Sequence, residues 1–281
     1  MIRRPPRSTL SPSSAASDVY KRQGVSNVLR HDVLEQDVER ITHLYYNEGY
    51  ARARVDEPRI EHDEHGIYIT IPIYEGKRYR IGKVEVEGEL IAPREEILRS
   101  LKVRSGQVFR QDDIRRDVVA LSRRYAEEGY AFADVTPLTT INRERATVDL
   151  TYHVDRGPQA HIGRIEIWGN TRTRDEVIRR ELLVKEGDLY RPSRIRKSRD
   201  AVNRLGSFKD VKVIPRPHTD RRTVDLEVRV KERPTGMFSV GAGYSSGGGA
   251  SVIGQVSESN LLGRGLALSL YAQLGGYTTR N

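Results

Sequence analysis

The sequence predicts an α+β chain: tandem β-α-α-β-β units of about 80 residues that run into the first antiparallel strands of a transmembrane β-barrel. Three observations carry the prediction. Ile81-Gly82-Lys83-Val84-Glu85-Val86-Glu87-Gly88 is restated 81 residues later as Ile162-Gly163-Arg164-Ile165-Glu166-Ile167-Trp168-Gly169. Each copy alternates apolar and polar positions and stops at a glycine, the pattern of a short half-buried strand. Glu48-Gly49-Tyr50 returns as Glu128-Gly129-Tyr130, and Leu205-Gly206-Ser207-Phe208 holds the same place in a third unit. A period this long marks an array of small domains. Finally, the last 48 residues trade charge for alternating apolar positions and glycine.

Composition narrows the function classes. The 281 residues contain no cysteine, which excludes disulfides, zinc-thiolate sites and cysteine nucleophiles. No apolar run is long enough for a transmembrane helix. The net charge of +9 invites a nucleic-acid reading, yet residues 1–23 hold five basic residues against Asp18 alone. The remaining balance is ordinary. Residues 1–23 are serine-rich and have no apolar signal core, so they are read as a disordered segment foreign to the protein.

The first unit, 24–76, places a helix on Leu34, Val38, Ile41 and Tyr45, stopped by Gly49. A strand over 52–60 contains Pro58, and a second over 67–73 contains Pro72, an awkward residue for a central strand. Leu29 aligns with Phe109, so this unit is expected to lack its opening strand and first helix. The second unit, 77–157, is complete. Pro93 opens a helix with Glu95 and Glu96 in its first turn, where the helix dipole favours acids. Asp112 is expected to cap the second helix, whose stripe is Ile114, Val118, Leu121 and Tyr125. Strands near 133–141 and 146–154 follow. The third unit, 158–233, repeats the order with Ser193 as the expected cap.

Pro58, Pro137 and Pro215 each fall in the second strand of a unit. Proline has no ladder donor and belongs on edges, so that strand is predicted to be an edge. Proline there protects against self-pairing, but an edge can also accept an added partner strand. In the tail, 234–281, Phe238, Val240, Ala242 and Tyr244 alternate with small or polar residues, and Leu266, Leu268, Leu270 and Leu274 do so more clearly. Such segments joined by glycine-rich turns fit membrane β-strands. Three strands cannot close a barrel, so the sheet is expected to continue past Asn281.

Catalytic signals are weak. Gly243-Tyr244-Ser245-Ser246-Gly247 matches a nucleophile elbow, but that motif needs a following helix and here another strand follows. His62-Asp63-Glu64-His65 is too short and isolated for a metal site. The arginine pairs lack interleaved aromatics and have acidic residues close by, so they are read as solvated helix faces and no nucleic-acid partner is expected. No catalytic residue, cofactor or metal is expected.

Tandem β-α-α-β-β units joined through Val230-Lys231-Glu232-Arg233-Pro234-Thr235-Gly236 to Phe238-Ser239-Val240-Gly241-Ala242-Gly243-Tyr244 resemble POTRA domains entering the barrel of the BamA-type outer-membrane assembly family. Asn260-Leu261-Leu262-Gly263-Arg264-Gly265 resembles that family's second hairpin. The resemblance implies a bacterial outer-membrane location with the repeats in the periplasm. It also implies that unfolded outer-membrane β-barrel proteins are received by strand addition and inserted into outer-membrane lipid. The edge residues would be Val135, Thr136, Leu138, Thr139 and Thr140, and the gate strand Phe238, Val240, Gly241, Gly243 and Tyr244. Val177-Ile178-Arg179-Arg180-Glu181-Leu182 with Glu186-Gly187 is similar to the barrel-proximal domain's contact with a partner outer-membrane lipoprotein, which makes Arg179, Arg180 and Glu186 candidates. Relatives of the TamA or polypeptide-secretion kind share the architecture and stay open as alternatives, as does, more remotely, a basic nucleic-acid-binding module.

Overall fold

The computed structural model describes residues 30–63, 66–245 and 249–275. The segment read as foreign, 1–23, lies outside these residues, as do Glu64, His65, Ser246 and Gly247 of the two rejected motifs. The chain divides into two compact units, one reaching to Ala120 and including Thr136–His153, the other formed by Leu121–Val135 and Val154 onward.

In the first unit, helix α1 (His31–Asn47) ends before Gly49. The two strands expected next are each broken at proline. They become β1 (Arg54–Val55), β2 (Arg59–Asp63), β3 (Gly66–Thr70) and β4 (Ile73–Tyr74). The register runs Val55↔Ile73 and then Arg59↔Thr70, which sets residues 56–58 against only 71–72. Pro58 and Pro72 therefore both fall in a bulge, where the N–H that proline lacks is not needed for the ladder. The Asp56 N–H closes the gap by donating to the Pro72 carbonyl at 3.0 Å.

The middle repeat runs β5 (Arg80–Gly88), α2 (Arg94–Ser100), α3 (Gln111–Glu127), β6 (Asp134–Asn142) and β7 (Thr147–Asp155). Its sheet order is β5-β7-β6. The last repeat matches it with β8 (His161–Trp168), α4 (Asp175–Arg179), α5 (Pro192–Arg204), β9 (Phe208–Pro217) and β10 (Thr223–Glu232), in sheet order β8-β10-β9. The proline-bearing strands β6 and β9 are edges, and the alternating third strand is central. That centre is where burial is deepest: Val224, Leu226, Val228 and Val230 face Ile178, Ile195, Val202 and Phe208 in one cluster.

The recurring Ile-Gly-basic stretch has a structural cause. Gly163 and Arg164 stand opposite Asp225 alone in the β8–β10 ladder, a bulge that frees the Arg164 N–H to donate to Asp225 Oδ1 at 2.6 Å. A Cβ on Gly163 would lie 2.2 Å from that oxygen. The middle repeat does the same, with Lys83 N–H donating to Asp149 at 2.7 Å and a Gly82 Cβ colliding at 2.0 Å.

After β10 a three-stranded meander follows, β11 (Gly236–Ser245), β12 (Gly249–Leu261) and β13 (Leu266–Gly275), in chain order.

Candidate functional site

The expected helix caps are corrected by the structure. Asp112 and Ser193 lie inside the first turns of α3 and α5, and the helices are capped from the preceding repeat. The Asp112 N–H donates to Asn47 Oδ1 at 2.9 Å, and Asn47 Nδ2 donates back to the Asp112 carboxylate at 3.0 Å. One repeat further on, the Ser193 N–H and hydroxyl donate to the two oxygens of Glu127 at 2.9 and 2.6 Å. Backbone bonds repeat the same joint: Tyr79 N–H to the Gly49 carbonyl at 2.7 Å, and Ala160 N–H to the Gly129 carbonyl at 2.9 Å. Each repeat thus finishes the orphan donors of its neighbour's helix, as a side chain at the N-cap ordinarily would.

The candidate edge residues lie on β6. Val135 points into the core, while Thr136, Leu138, Thr139 and Thr140 are exposed, as is Ile141.

Of the candidate lipoprotein-contact residues, Arg179 and Glu186 are brought together on the backbone of one residue, Ile165. The Ile165 N–H donates to Glu186 at 2.9 Å and Arg179 donates to the Ile165 carbonyl at 2.8 Å. Both side chains remain about half exposed. Arg180 turns elsewhere, towards the β12–β13 turn, where a Gly265 Cβ would lie 2.8 Å from its guanidinium.

That turn is seated on the loop before α4, a contact that sequence reasoning missed. Asn260 Nδ2 donates to Thr173 Oγ1 at 2.8 Å, and the Arg174 N–H donates to the Gly263 carbonyl at 2.9 Å. Gly263 has φ +68°, and a Cβ there would lie 2.0 Å from the Arg172 carbonyl oxygen. Glu232 shapes the receiving loop by accepting from the Thr171 hydroxyl and the Arg172 and Thr173 N–H groups at 2.8, 3.0 and 2.7 Å. Burial pushes its carboxyl up, but these donors outweigh it and hold Glu232 below the ordinary carboxylate range. Only the Asn260–Gly265 motif itself gave a hint.

The gate candidates occupy β11. Across the meander the register aligns Phe238, Val256 and Leu270 in one row and Ala242, Val252 and Leu274 in another. The opposite face aligns Ser239, Gln255 and Tyr271, and Met237, Ser257 and Ser269. One face is thus mainly apolar and uncovered: Phe238 is 72 % exposed, Leu270 60 % and Leu274 78 %. Among the described residues β11 pairs only with β12, which leaves its other side an edge.

Together these elements define a class of chain: small α+β repeats, each capping a helix of the next, the last of them holding an antiparallel sheet with an uncovered apolar face. The chain belongs to the POTRA family (surface antigen variable number repeat), which matches residues 16–76, 79–157 and 160–233. It is 35 % identical over 257 residues to the outer membrane protein assembly factor BamA of Nitratidesulfovibrio vulgaris, covering 89 % of this chain and 32 % of that protein. To BamA of Neisseria meningitidis serogroup B it is 32 % identical over 252 residues, covering 88 % and 32 %. It therefore spans about a third of the length of these curated relatives. The crystal structure of Haemophilus influenzae BamA POTRA3-5 shares its fold with a TM-score of 0.62 at 24 % identity, covering 79 % of this chain and 92 % of that one. BamA from Haemophilus ducreyi lacking POTRA domains 1-3 aligns with a TM-score of 0.57 at 27 % identity, covering 70 % and 37 %. The location implied by the sequence, the outer membrane with POTRA repeats on the periplasmic side, is that of these relatives.

Proposed function

We propose that the chain is the repeat arm and opening strands of an outer-membrane β-barrel assembly factor. The observation that carries the reading is the uncovered apolar face of β11-β12-β13 held against a POTRA repeat. Left in water, such a face is a liability; in a bilayer it is the outer wall of a barrel. Unfolded outer-membrane proteins are received by strand addition to β6, on Thr136, Leu138, Thr139 and Thr140 beside Val135. Arg179, Arg180 and Glu186 contribute to a contact with an outer-membrane lipoprotein of the assembly complex.

The edge of β11 is the gate where client strands enter. Gly241 and Gly243 weaken this strand, because glycine packs no side chain and loses the most backbone entropy on ordering. A Gly241 Cβ would meet nothing within 4 Å, and a Gly243 Cβ only Ser251 Oγ at 3.6 Å, so larger residues fit.

In the full-length protein reconstituted in vesicles of outer-membrane lipid, Gly241→Val with Gly243→Val slows client insertion while the barrel still folds. Equal insertion rates in a folded variant would sink the gate.

A further inference from the structure

We propose that an open cavity at the joint of the first and middle repeats binds the carboxylates of an extended acidic polypeptide. The cavity, about 420 Å³, is lined by Arg52, Tyr74, Gly76, Lys77, Tyr79 and Arg143. Arg52 precedes β1, Tyr74 ends β4, Lys77 lies in the link to β5, and Arg143 sits in the β6–β7 turn. Three cations from three separate segments therefore face one space, and among the described residues no acidic side chain lines it.

Arg54, Arg78 and Arg80 nearby are engaged elsewhere. Arg54 pairs with Asp56 at 2.9 Å and covers a face of the Tyr74 ring at 4.9 Å. Arg78 donates to the Glu48 carbonyl at 2.7 Å, and Arg80 to the Gly106 carbonyl at 2.8 Å. Arg52, Lys77 and Arg143 make no hydrogen bond or ion pair with another described residue. Uncompensated like charges around one cavity repel, and an entering anion relieves the repulsion at all three.

The form of the cavity selects the class of anion. A compact phosphate is usually met by a helix N-terminus or a nest of backbone N–H groups. No helix begins among these lining residues, and the cations stand on separate segments around two tyrosines. That spread suits several carboxylates along one chain, with Tyr74, itself 57 % exposed, offering a ring for apolar contact between them. The site does not depend on strand addition at β6, so either proposal can fail alone.

The test uses the full chain in detergent and a labelled peptide alternating glutamate with valine, read by fluorescence anisotropy. The glutamate peptide binds, its glutamine counterpart binds roughly tenfold more weakly or worse, and added salt weakens the former. Arg52→Gln, Lys77→Gln and Arg143→Gln together cost roughly tenfold. Arg196→Gln, Lys197→Gln and Arg204→Gln on α5 cost nothing, which controls for net charge. Equal loss in both triple variants, or equal binding of the two peptides, overturns the proposal. Displacement of the peptide by equimolar inorganic phosphate, by anionic phospholipid vesicles or by an oligonucleotide overturns it as well, in favour of a phosphate ligand.

Discussion

The middle and last repeats share a fold and differ in how they satisfy the same buried donors. In the middle repeat Asp117, 1 % exposed, accepts the Lys102 and Val103 N–H groups at 2.7 and 2.9 Å and the Tyr152 hydroxyl at 3.2 Å. In the last repeat Ser198 stands in its place and takes the Leu183 N–H at 2.8 Å, with Val228 where Tyr152 would be. A buried carboxylate needs several donors, so the tyrosine accompanies it; a serine is satisfied by the one Leu183 N–H and by donating to the Arg194 carbonyl of its own helix, and leaves room for valine. Burial, reinforced by Asp117, pushes the Tyr152 hydroxyl well up, so it remains a donor at any physiological pH.

A second difference lies at the far end. Glu232 organises the loop of the last repeat that holds the β12–β13 turn, whereas the middle repeat has Arg156 at the matching position and Ala92 in place of Thr173. Only the last repeat carries the residues that hold this sheet, while both keep a proline-bearing edge strand.

The largest test of this comparison is at the buried carboxylate. Asp117→Ala leaves two N–H groups and a hydroxyl without their acceptor and costs about 3 kcal/mol or more, against about 1 kcal/mol for Ser198→Ala. Chemical denaturation of the chain measures both. Adding Tyr152→Val to Asp117→Ser recovers much of the loss, since the pair then becomes that of the last repeat; strict additivity would break the comparison.

Next in size is the seated turn. Gly263→Ala forces a Cβ into the Arg172 carbonyl and costs about 2 kcal/mol locally. Amide exchange of Arg174 quickens, while that of Pro93's neighbour Arg94 in the middle repeat does not.

The smallest effect is a pH dependence confined to the last repeat. His218 Nε2 lies 2.7 Å from Asp225 Oδ2, and that hydrogen bond, with the charge of Asp225, raises the histidine. The same bond lowers Asp225, helped by the Arg164 N–H. A raised histidine stabilises fully below its unfolded value of about 6.5 and loses this as pH climbs through the folded value. A lowered aspartate stabilises above its unfolded value of about 3.9 and loses this as pH falls through the folded one. Local stability of β9–β10 is therefore greatest between about pH 4 and 6.5. The matching position in the middle repeat is Asn142, which carries no titrating proton in this range; exchange rates of β9–β10 across pH measure the window.

Periodicity made the strands legible, because alternation is local: Val148, Leu150, Tyr152 and Val154 announce β7 on their own. Edges were legible through Pro137 and Pro215 for the same reason. The caps were not, since the partners of Asp112 and Ser193 come from 65 and 66 residues away, and a helix-start pattern points to the nearest polar residue instead. The repeat held the clue, as Asn47 and Glu127 occupy matching places. Pro58 and Pro72 likewise made sense only once the register put both in the gap between the two short ladders. Arg179 and Glu186 were legible in sequence only as candidates for a partner contact, because nothing local shows that both reach Ile165.

Strand addition at the middle repeat is tested most directly by hydrogen exchange on the full-length protein, with and without a peptide copied from an outer-membrane β-strand. The account predicts added protection within β6, at Leu138 and Thr140, its loss with Thr140→Pro in a folded variant, and little change in β9. Protection spread equally over both edge strands, or protection of β6 that survives the proline, would contradict it.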